Sequence, residues 1–156
     1  MVDSQPKATE PHSVVGNWKY VLATTNPPPG HLDPVSKWLG VAVEREAFTH
    51  ELIAASGVYA LCLIDRDDRA IVRKFTKPVA VDLEARTLNE FAYFDGSVTG
   101  APVLAQAVAY VECEVRQPVE VGNHTLFLGE IVNAAFLKDE ETPVLRMEDT
   151  RMNYGG

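Results

Sequence analysis

The stretch that decides the fold is AVAYVECEVRQPVEVGNHTLFLGEIVNAAF, residues 107–136. Apolar and polar side chains alternate over 107–116, the period of a strand with one buried face. The run 124–136 has the composition of a second strand, with Gly129 suited to a bulge. A turn over 118–123 joins the two, so the stretch predicts a β-hairpin. The solvent side of its first strand is expected to carry Tyr110, Glu112, Glu114 and Arg116.

Local patterns outside the hairpin predict further strands and two short helices. The predicted strands lie at 18–25, 38–44 and 58–64, with weaker strand-like runs between 76 and 101, and the predicted helices at 46–56 and 67–75. Gly57 is placed to end the first helix in the left-handed conformation. An aspartate at the start of the second helix is expected to cap it.

Many short strands without a regular βαβα rhythm favour an antiparallel barrel, whose closure leaves few exposed strand edges. The fold class predicted here is therefore mainly β, with two short helices. A length of 156 residues suits one domain. We expect a flexible N-terminal arm over 1–13 and a single domain over 14–156.

Composition narrows the function classes. The chain has 14 Lys and Arg against 22 Asp and Glu, a net charge of −8, which argues against nucleic acid as a partner. No apolar stretch approaches the ~20 residues of a membrane span, and the N-terminus lacks a signal-peptide pattern, so we expect a cytoplasmic protein that does not bind membranes. The four His and two Cys show no metal-ligand spacing, so no metal site is predicted.

Two sequence features suggest a ligand site, and we expect them to face one another across one cleft. The first is the hairpin turn, where Asn123 and His124 follow Gly122 and are placed to reach a ligand over the barrel rim. The alternative is that His124 only caps the turn or forms a hydrogen bond with a backbone carbonyl. Thr49, in the first turn of a predicted helix, is also placed to meet an anion, and an ordinary helix-start threonine is the alternative there.

The second feature is a group of basic residues around the second predicted helix. Its members are Arg66, Arg69, Arg73, Lys74 and Lys77. Such a group suits a ligand phosphate, because charge-assisted hydrogen bonds to phosphate are strong. A solvated helix face paired with neighbouring aspartates is the alternative, and the pattern alone does not choose between them.

Two longer stretches resemble a known family. Residues 100–139, GAPVLAQAVAYVECEVRQPVEVGNHTLFLGEIVNAAFLKD, resemble the second half of the flavin reductase-like domain, an FMN-binding split barrel. The matching motif residues are Gly100, Pro102, Leu104, Gly122, Asn123, His124, Thr125, Leu126, Phe127, Gly129 and Glu130. Residues 44–78, EREAFTHELIAASGVYALCLIDRDDRAIVRKFTKP, resemble its nucleotide-contacting middle part.

The resemblance implies a homodimeric, Greek-key type split barrel that binds FMN or FAD and uses NADH or NADPH as co-substrate. It implies hydride transfer to the flavin, with His124 on the nicotinamide side and Thr49 and the Lys77 region near the flavin phosphate or ribityl chain. From the basic group, Arg69 and Arg73 together with Lys77 are expected to neutralise that phosphate. The ring-contacting segment over 25–38 is shorter than is usual in the family. Its ring contacts are expected to come from Ser36, Lys37 and Trp38.

Three functions are compatible with these expectations. The first is an NAD(P)H-dependent flavin reductase that supplies reduced flavin to a monooxygenase or another acceptor. The second is a flavin-binding electron-transfer protein without its own nicotinamide site. The third is a cofactor-free split-barrel relative that acts on an organic metabolite, which the short segment over 25–38 would favour.

Overall fold

Eleven elements of regular α or β structure build the part of the chain that the computed structural model describes, residues 21–23, 37–75 and 78–150. The strands are β1 Val21–Ala23, β2 Trp38–Glu44, β3 Val58–Leu63, β4 Val81–Asp82, β5 Thr87–Leu88, β6 Phe91–Asp95, β7 Pro102–Leu104, β8 Ala109–Val121 and β9 His124–Phe136. The α-helices are α1 Phe48–Ser56 and α2 Ala70–Phe75, and short 3₁₀ turns lie at Arg66–Asp68 and Met147–Thr150. The predicted arm over 1–13 lies outside the described residues, and the division into arm and domain stays a prediction.

The strands form two antiparallel sheets. The larger has the order β1-β2-β9-β8-β3 and the smaller the order β4-β5-β6-β7. β2 pairs with β9 and not with β3, the next strand along the chain. Such pairing between strands far apart in the sequence is typical of a Greek-key arrangement. The predicted fold class, a mainly β split barrel with two short helices, is confirmed.

The β8–β9 hairpin is longer than predicted. β9 has the predicted bounds, but the predicted turn over 118–123 is wrong, because β8 continues to Val121 and only Gly122 and Asn123 form the turn. Pro118 is tolerated within β8 because the pairing with β3 ends at Glu114. Among the described residues β9 is the only neighbour of β8 beyond that point, so a proline N–H missing from the other edge of the strand leaves no ladder bond unmade. Gly122 begins the turn with φ 58°, which suits glycine.

The prediction of a solvated face on β8 is correct at Arg116, which is exposed, but wrong nearer the start of the strand. Tyr110 and Glu112 are buried, because the smaller sheet packs on that face. The ring of Phe94 in β6 meets the ring of Tyr110 edge-on, with centroids 5.7 Å apart. The alternation of residue types identified a strand, whereas the distant β6 and β7 decided which faces are covered.

Gly129 has a role that its sequence context did not reveal. A bulge does lie beside it, but the extra residue is Arg116 in β8. A Cβ at Gly129 would lie 2.5 Å from the hydroxyl oxygen of Tyr59. That hydroxyl is buried and donates to the Leu39 carbonyl over 2.6 Å. The glycine therefore makes room for a tyrosine that links β3 to β2.

The two helices differ in how well they were predicted. α1 begins two residues later than predicted, and Gly57 ends it as expected with φ 70° and an N–H bond to the Ile53 carbonyl. The second prediction merged a 3₁₀ turn with α2, and the capping residue is Asp65, whose carboxylate accepts from the N–H of Asp67. No helix in the described part of the chain is long and apolar enough to cross a membrane.

Candidate functional site

The residues predicted to form one site lie in three places. Asn123 and His124 are at the tip of the β8–β9 hairpin, with Thr49 nearby at the start of α1. Lys37 and Trp38 are at the opposite end of β2, and Arg73 is on α2. Ser36 and Lys77 lie outside the described residues.

At the hairpin tip, backbone and side-chain bonds orient His124. The N–H of Arg45 donates to the Asn123 carbonyl over 2.9 Å and joins the tip to the end of β2. The Nδ1 of His124 lies 2.7 Å from the side-chain oxygen of Asn123. Since an amide oxygen only accepts, this contact fits a proton on Nδ1, and in that tautomer of the neutral ring Nε2 would accept from a ligand N–H.

A second histidine supports the tip from the core side. His50 in α1 lies with its Nε2 2.8 Å from the Thr125 hydroxyl, and its ring lies 5.2 Å from the ring of Phe127. These contacts hold α1 against β9 and so position Thr49, which is partly buried. The N-cap residue of α1, Ala47, provides no side-chain hydrogen bond to the first N–H groups of the helix.

Trp38 and His124 lie on the same face of the larger sheet but far apart. Trp38 pairs with Glu130 and Glu44 pairs with His124, so six strand positions, about 20 Å at ~3.3 Å per residue, separate them. The residues between them on this face, which we call the outer face, are Gly40, Ala42, Gln117, Val119, Leu126 and Leu128. The outer face is therefore mostly apolar, with Gln117 as its polar member, and ends at a histidine.

The basic residues of α2 line a cleft of about 1240 Å³, which we call the basic cleft. Its lining consists of Arg69, Ala70, Arg73, Lys74, Pro78, Ala80, Asn89, Glu90, Asp149 and Thr150. The Asp149 carboxylate is bonded to Arg66 over 2.9 Å, which holds its pKa below the usual range. The Arg69, Arg73 and Lys74 side chains therefore outweigh the acidic side chains of the cleft, in a chain whose net charge is −8.

Asn89 shapes the wall of the basic cleft and was missed by sequence reasoning. Its side-chain oxygen accepts from the Ala80 N–H over 2.8 Å, and its amide donates to the Lys74 carbonyl over 2.9 Å. Its own N–H donates to the Ala80 carbonyl over 2.8 Å. An asparagine between two short strand-like runs is a turn signal, and this signal could have identified the β5–β6 hairpin.

The basic cleft and the hairpin tip do not meet within one chain. β3 pairs Leu63 with Ala109, which places α2 beyond the start of β8, whereas His124 pairs with Val121 at its end. β8 has 13 residues, a contour of roughly 40 Å. Among the described residues, none of the hairpin lines the cleft. The sequence-based expectation that hairpin rim and arginine-bearing helix face one another is therefore wrong for a single subunit.

Comparisons with known proteins match this architecture to one family. The model of the flavin reductase like domain matches residues 31–155. The NADH-dependent FAD reductase of Streptomyces globisporus is 30% identical over 60% of this chain and 51% of its own length. The NAD(P)H ferric-chelate reductase of Archaeoglobus fulgidus is 33% identical over 66% of this chain and 60% of its own length.

One solved structure shows the same relation in three dimensions. The NADH:FAD oxidoreductase of Streptomyces globisporus C-1027 superposes with a TM-score of 0.57 at 28% identity, covering 65% of this chain and 59% of that one. The family model spans most of the chain, and the resemblance seen in the hairpin motif is confirmed. The chain belongs to the flavin reductase-like domain family.

Proposed function

We propose that the protein is a cytoplasmic NAD(P)H-dependent flavin reductase that passes reduced FMN or FAD to a monooxygenase or another acceptor. Family membership supports the reaction class, and the basic cleft is the observation that carries the proposal. A chain with a net charge of −8 has three cationic side chains gathered in one concave site. Such a site suits an anionic nucleotide.

The residues of the basic cleft fit a flavin phosphate. Arg73, with Arg69 and Lys74 beside it, would hold the phosphate by charge-assisted hydrogen bonds. The hydroxyl of the buried Thr150 and the predicted contact from Lys77 would add to this site. A bound flavin would accept the hydride, and the protein would orient the flavin and balance the charge of its phosphate.

The hairpin tip fits the nicotinamide side. Nε2 of His124, an acceptor in the tautomer that fits the Asn123 contact, would bind an amide N–H of the nicotinamide and so orient it. The part of the outer face beside His124, formed by Ala42, Val119 and Leu126, is apolar and would exclude water from the reacting rings. Lys37 and Trp38, at the far end of the outer face, would contact the flavin ring, as predicted for them and Ser36.

A homodimer would unite the two parts of the site. Because the basic cleft and the hairpin tip lie at opposite ends of β8, both can contact one ligand only if a second copy supplies one of them. Large apolar side chains at the tip end are exposed, with Phe48 68% and Val121 58% accessible. A partner subunit would bury this surface and bring its own basic cleft to the tip.

The test is an anaerobic titration of the purified chain with FMN and FAD, followed by NADH or NADPH, with absorbance as the readout. Flavin binding with bleaching by a nicotinamide supports the proposal. Binding without bleaching would favour the electron-transfer protein, and absence of binding would favour the cofactor-free relative. Sedimentation velocity on the same sample tests the dimer, and a monomer that still reduces flavin would refute the shared site.

A matched pair of arginine variants tests the basic cleft. Arg73→Gln is expected to weaken FMN binding about tenfold, since a charged hydrogen bond is lost, and to leave riboflavin binding unchanged. Arg86→Gln is the control, because Arg86 pairs with Asp95 outside the cleft. Equal FMN affinity in the two variants would remove Arg73 from the site.

A further inference from the structure

The turn between β5 and β6 has an unfavourable residue at its centre. Asn89 has φ 48° and Glu90 has φ 72°, so both central residues of this two-residue hairpin are left-handed. Asparagine tolerates this conformation, whereas a glutamate at the second position is strained and glycine is the usual choice. Glu90 therefore destabilises the turn relative to glycine.

The contacts of the Glu90 side chain contribute too little stability to offset this backbone strain. The Glu90 side chain is 91% exposed, and its carboxylate lies 4.0 Å from the Lys74 ammonium, the outer limit of an ion pair. Exposed pairs of this kind contribute little to stability. Packing and pairing within the described structure do not explain why a glutamate stands here.

The position of Glu90 gives a different explanation. Glu90 lines the basic cleft together with Arg69, Arg73 and Lys74. A carboxylate at this position repels an incoming phosphate and competes with it for Lys74. Its removal would make the cleft more positive without changing any of the cations.

We propose that Glu90 is a specificity-determining residue of the basic cleft, a built-in counter-anion that weakens the hold on the phosphate end of the flavin. Resting on the proposed function, this makes the flavin a substrate that enters and leaves rather than a permanently bound group. A reductase that hands reduced flavin to another protein needs such release.

Three variants separate charge from backbone strain. Glu90→Gln removes the charge and keeps the side-chain size, and Glu90→Gly removes both the charge and the strain. Glu84→Gln is the control, since Glu84 is an exposed carboxylate on the neighbouring turn that does not line the cleft. The first probe is inorganic pyrophosphate, measured by calorimetry at low salt, and FMN and riboflavin follow by fluorescence.

The charge effect predicts tighter anion binding. Glu90→Gln and Glu90→Gly should bind pyrophosphate about three- to tenfold more tightly than the natural protein, as expected for the removal of one like charge near the anion, and 0.5 M salt should largely abolish the difference. FMN should follow pyrophosphate, while riboflavin, which lacks the phosphate, should not change. Glu84→Gln should match the natural protein. Glu90→Gly should also melt about 2–4 °C above Glu90→Gln, because glycine accepts the left-handed φ.

The negative results distinguish the proposed role of Glu90 from the proposed flavin reductase function. Pyrophosphate and FMN affinities in Glu90→Gln that equal those of Glu84→Gln, or fall below them, would refute the role of Glu90 even if flavin reduction proceeds. Tighter pyrophosphate binding in a protein that binds no flavin would instead refute the proposed function. No pyrophosphate binding by any variant would refute the cleft as an anion site and Glu90's role with it.

Discussion

Replacing Glu112 should expose how strongly one buried carboxylate holds the β6–β7 loop. Glu112 lies in β8 with none of its surface exposed. Its carboxylate accepts hydrogen bonds from the Thr99 N–H over 2.8 Å, the Thr99 hydroxyl over 2.7 Å and the Val98 N–H over 3.3 Å. Asn133 donates to the other oxygen over 2.6 Å. The carboxylate thus satisfies four donors from the loop and from β9.

The size of the effect follows from these four donors. Glu112→Ala leaves buried donors without an acceptor, at about 1–3 kcal/mol each for those that water does not reach, and it opens a cavity. We expect a loss of about 3–5 kcal/mol in the free energy of unfolding and a drop of about 10 °C in Tm. Glu112→Gln keeps the volume and one acceptor, and rotation of the Asn133 amide can satisfy the new NH₂ group. Its loss should be about 1–2 kcal/mol.

The carboxylate should also make stability depend on pH. Burial raises the pKa of Glu112, but hydrogen bonds from Asn133, Thr99 and Val98 together outweigh burial and hold the pKa below its ordinary 4.5. The stabilisation is therefore complete above this ordinary pKa, which the unfolded chain keeps, and is lost as the pH falls through the lower folded-state value. Below about pH 4.5, Glu112→Gln should lose less stability with falling pH than the natural protein.

Urea denaturation between pH 3 and pH 7 measures both effects. Glu114→Gln on the same strand is the control, because Glu114 is half-buried and pairs with Arg116 at the surface. The reasoning would be wrong if Glu112→Ala stayed within about 1 kcal/mol of the natural protein. It would be equally wrong if Glu112→Gln kept the natural dependence on acid pH.

Three further predictions test the hairpin and the two halves of the site. Gly129→Ala should lose about 2–4 kcal/mol in urea denaturation, because its Cβ displaces the Tyr59 hydroxyl. Adding Tyr59→Phe should recover part of the loss, and strictly additive losses would contradict the contact. Asn89→Ala should lower the free energy of unfolding by about 1.5–3 kcal/mol and weaken pyrophosphate binding, since two side-chain hydrogen bonds of the cleft wall disappear. An unchanged pyrophosphate affinity by calorimetry would show that Asn89 does not shape the anion site. His124→Ala should slow flavin reduction by nicotinamide in stopped-flow measurements about tenfold, with a smaller effect on flavin affinity. An unchanged rate would exclude His124 from the reaction.

The sequence was enough to determine those elements that depend only on residues close to one another in the chain. β2 and β9 have their predicted bounds, because strand periodicity requires only neighbouring residues. Gly57 ends α1 as predicted, because a left-handed φ is a property of one residue. The hairpin motif around His124 likewise identified the family before any contact was known.

Tertiary structure alone decided the features that depend on distant partners. Pro118 stays within β8 because β3 ends beside it, and Glu112 is buried because a second sheet covers its face. Gly129 is needed because Tyr59, 70 positions away, fills the space above it. The separation of Arg73 from His124 follows from the length of β8 and the side on which β3 pairs. A chain segment carries its own backbone preferences, but which surfaces meet is set by pairings between segments far apart in the sequence.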